Sequence, residues 1–471
     1  MYQKDKQITR PHRLIFLLTC MFFILMMLPV VAQFPSEGLR ISSFDMDVTP
    51  PGDRDYLTYD PQVGTWDMGL RAKGIVIQGA GEPIVLCAVD WIAIGNEGMD
   101  AFKGVLAQAA GTRPERVSVH VLHQHDAPRF DLGAEARLLA VGGDPGSYNP
   151  VNFDATFGRE VLIKLRHLVQ KAIKTTKPVN KIGFGEAEVF KVASNRNIYD
   201  ENGMVRATRY TATKDPAFRN EPEGIIDPMV SVVSFWNDEE PVAVLSFYAT
   251  HPQSYYRTGI PNPDFPGIAR FMRQLAVPQA LHVHFTGAGG NIGAGKYNDG
   301  SMENRLILAQ RLADGMERAW ESTEKYNISP EDLVWEVEKV SLPPGKHLYE
   351  IREEISKNDS VLIQNNALAR KMAFLDRMES GHKIDIGMFK AHDIRILFMP
   401  GELFVEYQLA AKAEAPNLKI AMAAYGDMGP GYIGTTLQYS KGGYEVSERA
   451  SNVDPTVEPV LLTAIQELLS R

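Results

Sequence analysis

Disulfides are the first thing this chain of 471 residues lacks: it has two cysteines, Cys20 and Cys87. Basic runs are missing too, and the formal net charge is −9 at pH 7, which argues against nucleic acid as a partner. After residue 31 no apolar stretch is long enough to span a bilayer, so no integral membrane domain is expected in the mature chain. Nor is there a Gly/Ser or Pro-rich linker, a low-complexity tract or an internal repeat of fixed period. Those absences exclude beads on a string, although the length exceeds one ordinary domain. They leave one large α/β domain, with two lobes sharing a site.

The N-terminus is where charge and hydrophobicity do concentrate. Lys4, Lys6, Arg10 and Arg13 precede an almost unbroken apolar run from Leu14 to Val31, and Val30-Val31-Ala32 offers a place to cut. This reads as a signal peptide over residues 1–32, with 33–471 as the mature chain. An uncleaved anchor is the alternative, because the run approaches the length of a membrane span. Removing the segment takes away four basic residues and one acidic one, leaving a charge of about −12. Cys87 then has no internal partner, and export without disulfides points to a secreted or periplasmic bacterial protein.

Strand-like and helix-like patterns alternate. Pro83 to Val89 is a continuous apolar run ending at Asp90, as in a buried strand. Glu97 to Ala110 has helical spacing stopped by Gly111, and Arg116 to His123 is the next strand. Phe157 to Thr175 is a second amphipathic helix. Met229–Trp236 and Pro241–Tyr248 are strands around an Asn237–Glu240 turn. Leu281 to Thr286 opens into a glycine-rich stretch, Gly287 to Gly295. Ser301 to Trp320 is a helix with Ser301 as its N-cap. A further strand, Ile394 to Met399, precedes a helix from about Phe404 to Ala415.

The segment SVHVLHQHDAP, Ser118 to Pro128, carries the strongest chemical signal. On a strand, residues i and i+2 share a face, so His123 and His125 would stand ~7 Å apart on one side. Two imidazoles at a strand end suit a Zn²⁺ ligand set, or one ligand and a catalytic neighbour; a polar strand end with locally bonded histidines is the plainer reading. His251, in Ala249-Thr250-His251-Pro252, and Glu402, in Pro400-Gly401-Glu402, are individually ordinary loop and helix-opening residues.

Taken in order, these segments resemble the catalytic domain of neutral (alkaline, non-lysosomal) ceramidases. FDMDVTPP (Phe44–Pro51), HQHDAP, SNRN (Ser194–Asn197), DPMVSVVSF, FYATHP, DFPG, TGAGGNIG, PGELF, GYIGTT and Tyr444-Glu445 follow the family's landmarks over more than 400 residues. The resemblance implies an α/β, mixed-sheet hydrolase domain with a single zinc site held by His123, His251, Glu402 and Tyr432. It gives His125 the role of proton carrier, and Arg196 and Tyr444 that of stabilising the oxygen that gains charge. Asp126 could hold an imidazole tautomer. The implied reaction is cleavage of an N-acyl amide bond in a ceramide-like lipid by zinc-activated water.

Two departures qualify that picture. Gly293 stands where the family carries a serine, which excludes a serine nucleophile there but not a water nucleophile. The chain also stops where typical ceramidases continue into a C-terminal sandwich domain. A zinc esterase or deacetylase acting on another acylated substrate, such as a glycan, and a non-catalytic binding homologue are therefore alternatives. The oligomeric state is left open.

Overall fold

The continuous apolar runs mark strands buried on both faces. Along Gly81–Val89, Ile84, Leu86 and Ala88 enter one core while Val85, Cys87 and Val89 enter another, as expected of strands sandwiched between two layers. The computed structural model describes residues 38–52 and 68–471; the proposed signal peptide lies outside them. Cys87 is buried, and burial pushes its thiol up far beyond the ordinary range. Among the described residues no helix is long and apolar enough to cross a membrane.

Three four-stranded units of the same topology build the mixed α/β fold. The first comprises β1 (Arg40–Asp47), β2 (Arg71–Gly79), β3 (Gly81–Val89) and β4 (Val117–Val121). The second has β5 (Lys181–Glu188), β6 (Met229–Asn237), β7 (Glu240–Tyr248) and β8 (Leu281–Thr286). The third has β9 (Leu333–Val340), β10 (Ile384–Ala391), β11 (Ile394–Phe398) and β12 (Lys419–Ala423). In each, the first three strands form an antiparallel meander, and the fourth pairs parallel to the third.

A parallel partner requires a crossover, and a helix supplies it every time. These helices are α1 (Glu97–Ala110), α3 (Asp264–Ala276) and α6 (Val405–Glu414). A second helix covers each sheet: α2 (Thr156–Ala172), α4 (Glu303–Glu321) and α7 (Val457–Ser470). Between β9 and β10 lies α5 (Ala367–Glu379). The three sheets face one shared core, to which Leu86, Leu245, Phe285 and Ile396 contribute, and turn their other faces to the helices. Unequal insertions inside and between the units hide the repeat from any search for a fixed period.

Two expectations shift. Ser301 does not cap α4, which begins at Glu303; its hydroxyl bonds Asp299 Oδ1 instead. The strand expected to reach His123 stops at Val121, because His123 has φ +71°. That left-handed backbone breaks the pleat. Two-residue alternation therefore does not orient the H-x-H pair.

The three parallel edge strands end at a common junction. Val121 N donates to Tyr425 O at 2.9 Å, Ala424 N to Thr286 O at 2.9 Å, and Thr286 Oγ1 to Leu122 O at 2.9 Å. These bonds close a ring through all three units. Replacing the buried hydroxyl by a methyl in Thr286→Val should lower unfolding free energy by about 1–2 kcal/mol in urea titrations, with little change in secondary structure by circular dichroism.

Candidate metal centre and active site

Ligands at the carboxyl ends of strands are a general feature of α/β sheets, and here three such ends converge. His123 follows β4, His251 follows β7, and Glu402 follows β11. His123 Nε2 lies 3.2 Å and His251 Nε2 3.7 Å from Glu402 Oε2. The His123 and His251 ring centroids are 4.8 Å apart at 90°. Tyr432 is the direct register partner of Glu402 in a two-residue parallel pair, Glu402–Leu403 with Tyr432–Ile433. That pairing brings together two residues far apart in sequence.

Hydrogen bonding fixes the ring tautomers. His123 Nδ1 sits 2.6 Å from Ile92 O and His251 Nδ1 3.3 Å from Gly289 O. A carbonyl can only accept, so the His123 proton is assigned to Nδ1, and His251, whose Nδ1 also lies 3.3 Å from the Tyr425 hydroxyl, is taken in the same tautomer. Each Nε2 then turns a lone pair toward a carboxylate oxygen that is also an acceptor. With both Nε2 lone pairs turned toward Glu402 Oε2, these acceptors suit a cation held between them. In a tetrahedral site with ligands about 2.0–2.1 Å from Zn²⁺, neighbouring donor atoms stand about 3.3 Å apart. The 3.2 and 3.7 Å separations fit that edge length.

Candidate ligand atoms of His123, His125 and His251 also lie within 4.8 Å of one another. Glu402 is the candidate third ligand because its Oε2 lies within 3.7 Å of both Nε2 atoms. His125 has a different partner, Gln253, whose Nε2 is 3.0 Å from His125 Nδ1. As placed, Gln253 donates, and the proton of the neutral His125 ring falls on Nε2. Burial, with the positive charge of Arg196 adding to it, holds His125 and His251 well below the ordinary imidazole range. Neutral rings are what metal binding and proton transfer both require. Burial would raise the Glu402 carboxyl, but His123, Tyr432 and Arg196 bring it below its usual range.

Arg196 enters from the side. Its segment Ser194–Asn195 pairs with Ile292–Gly293, and its Nη1 donates to Tyr432 Oη at 3.1 Å and to Gly290 O at 3.3 Å. Glu445, fully buried, lies 3.2 Å from Arg196 Nε. The Tyr444 ring is 5.8 Å from that of Tyr432 and 5.9 Å from Tyr210. Tyr210 and Tyr256 are 47 % and 37 % exposed, forming the outer wall beside Arg196 and His125.

The glycine-rich stretch packs backbone against the site. A Cβ on Gly290 would come within 2.3 Å of Glu402 O, and one on Gly289 within 2.8 Å of the Thr250 backbone. Gly293 differs. Its Cβ would meet Arg196 Cγ and Tyr210 O at 3.5 Å, which is ordinary contact, so a small side chain could sit there without displacing a neighbour.

Several functional contacts escaped the sequence reading. Tyr425 stacks on His123 with centroids 4.7 Å apart, and its hydroxyl lies 3.3 Å from His251 Nδ1. Asp126 does not hold an imidazole. Its carboxylate instead accepts from Arg257 N at 2.9 Å and Thr258 Oγ1 at 2.8 Å, fixing the loop after His251. Gln253 could have been suspected only from its place two residues after His251.

No family model and no curated protein matches the sequence. Two solved structures match the fold. A neutral ceramidase from Pseudomonas aeruginosa superposes with a TM-score of 0.65 at 16 % identity, over 92 % of this chain and 75 % of that one. A ceramidase complexed with C2 gives 0.62 at 16 % identity, over 92 % and 74 %. The chain has the neutral ceramidase fold. Within that fold, His123, His251, Glu402, Tyr432, His125, Arg196 and Tyr444 gather in one place.

Zinc should therefore stabilise the folded chain. At free Zn²⁺ a hundred times Kd the gain is about 2.7 kcal/mol, seen as a raised Tm after metal is added to chelator-treated protein. His251→Ala and Glu402→Ala should each abolish most of that shift.

Proposed function

We propose that the chain is an exported, zinc-dependent hydrolase of the neutral ceramidase type that cleaves the N-acyl bond of a ceramide-like lipid. One observation carries this reading: His123 Nε2 and His251 Nε2 both approach Glu402 Oε2, at 3.2 and 3.7 Å, near the edge length of a tetrahedral zinc site. The exported character rests on the basic-then-apolar first 32 residues, and the lipid substrate on the ceramidase fold. Zn²⁺ held by His123, His251 and Glu402, with Tyr432 beside them, would activate water near neutral pH and polarise an acyl carbonyl.

The surrounding side chains divide the remaining work. Arg196 has no hydrogen-bond partner at Nη2 among the described residues, so that N–H can serve the acyl oxygen as it gains negative charge. Tyr444 supplies a phenol on the same side. Tyr432 links Glu402 to Arg196, accepting from the guanidinium and hydrogen-bonding the carboxylate. His125 carries the proton. A half-turn of the Gln253 amide puts its oxygen on Nδ1–H. Nε2 then takes a proton from the attacking water and returns it to the leaving nitrogen as the C–N bond breaks. Gln253 would in this way set which nitrogen of His125 is basic.

The absence of a side chain at Gly293, beside Arg196, motivates a second reading, hydrolysis of an ester or an acetylated sugar. A panel of long-chain ceramides, short acetyl amides and acetyl esters, assayed before and after chelation, decides between them. We expect chelator-sensitive release of fatty acid from ceramide, falling roughly 10²–10³-fold in Arg196→Met. Turnover unaffected by chelation and by His251→Ala would defeat the zinc mechanism. Acetyl-ester turnover without ceramide cleavage would select the second reading.

Gly293→Ser tests the role of that position directly. The protein should fold with stability changed by about 0.5 kcal/mol or less, and KM for the true substrate should rise if its head group occupies that space.

A further inference from the structure

His123 is held in a backbone conformation that a non-glycine residue rarely adopts, one that persists only where the surroundings over-determine it. The restraint comes largely from one short segment, residues 90–92, which follows β3. His123 N donates to Trp91 O at 3.0 Å, and His123 Nδ1 to Ile92 O at 2.6 Å. Gln124 Nε2 donates to Asp90 O. Three bonds thus copy the position of residues 90–92 onto the histidine and its neighbour.

Asp90 fixes that segment in turn. Its carboxylate is fully buried, accepts from Arg71 N at 2.8 Å, and receives both terminal nitrogens of Arg270 at 2.7 Å each. Arg270 belongs to α3, the crossover helix of the second unit, which follows the loop carrying His251. The pair therefore spans the unit that delivers His123 and the unit that delivers His251. A buried ion pair is weak evidence for stability, since apolar residues of similar size often serve as well. A bidentate fork is a strong constraint on geometry.

We propose that Arg270 is a positioning residue for the metal centre: through Asp90 and the 90–92 backbone it fixes the His123 ring relative to His251. This rests on the reading of His123 and His251 as metal ligands. Outer partners of ligating histidines typically change metal affinity by about 10–100-fold when removed, and a comparable effect is expected here at one further remove.

The test compares the full chain with Arg270→Lys, which keeps the charge but loses the fork, and with Asp90→Asn/Arg270→Met, which leaves no unpaired buried charge. Zn²⁺ Kd, measured by competition with a chromophoric chelator, should rise about ten-fold or more in the double variant, with a smaller rise in Arg270→Lys. The visible d–d bands of the Co²⁺-substituted protein should shift in both. Arg273→Met, which removes a neighbouring α3 ion pair with Glu317, should lower Tm while leaving Kd and spectrum unchanged. Folded variants that match the unmodified chain in both readouts overturn the proposal. If the unmodified chain binds neither metal, the zinc reading fails, and histidine-labelled protein then judges the positioning role by NMR. The His123 Nδ1–H proton should exchange slowly in the unmodified chain and faster in Arg270→Lys; equal rates overturn the proposal.

Discussion

Everything in the candidate site depends on three strand ends being held against one another. The ring from Val121 to Tyr425, from Ala424 to Thr286 and from Thr286 to Leu122 uses bonds of 2.9 Å each. Each bond joins a different pair of units. Without it, three separately stable sheets could share a core and still leave His123, His251 and Glu402 several ångströms from a common point. Burial alone cannot provide this, because the hydrophobic effect is not directional. Directional bonds between otherwise unsatisfied backbone groups turn a shared core into a defined junction.

Charge reinforces what the junction begins. Among the described residues, four arginine–carboxylate pairs have both side chains no more than 6 % exposed: Arg196–Glu445, Arg270–Asp90, Arg305–Asp264 and Arg377–Asp427. Each braces a segment of the site. Glu445 follows Tyr444. Asp264 accepts from Ser254 N, just beyond His251. Asp427 O accepts from Gly401 N, just before Glu402. Desolvating such pairs costs several kcal/mol per ion, so concentrating them around one site is expensive as a way to stabilise a fold. It is effective as a way to fix geometry, because a guanidinium fork tolerates little displacement.

The elements were largely legible in the sequence. Glu97–Ala110 and Leu281–Thr286 match the observed helix and strand to the residue, because apolar periodicity and a stop signal coincide at their ends. The site was legible only through the order of its motifs. Nothing local announces that Glu402 and Tyr432 are register partners, since two-residue strands carry no periodicity. The left-handed turn at His123 was also hidden. The bonds that impose it come from residues 90–92, far from it in sequence. Asp90, Arg270, Gln253 and Tyr425 were missed for the same reason: each acts through a partner distant in sequence, and none belongs to a spaced motif.

Backbone strain is concentrated around this site. Eight non-glycine residues have positive φ among the described residues, and His123, Arg257, Asp264 and Tyr425 are four of them. Each such conformation costs on the order of 1–3 kcal/mol, so together they oppose folding substantially. They survive because hydrogen bonds, stacking and buried ion pairs hold them. Ile92 O and Gly289 O orient the His123 and His251 rings, and Tyr425 packs against both. Strain of this kind persists only where the surroundings over-determine the backbone. Its concentration around His123 and His251 marks them as positions whose geometry the fold holds at a cost.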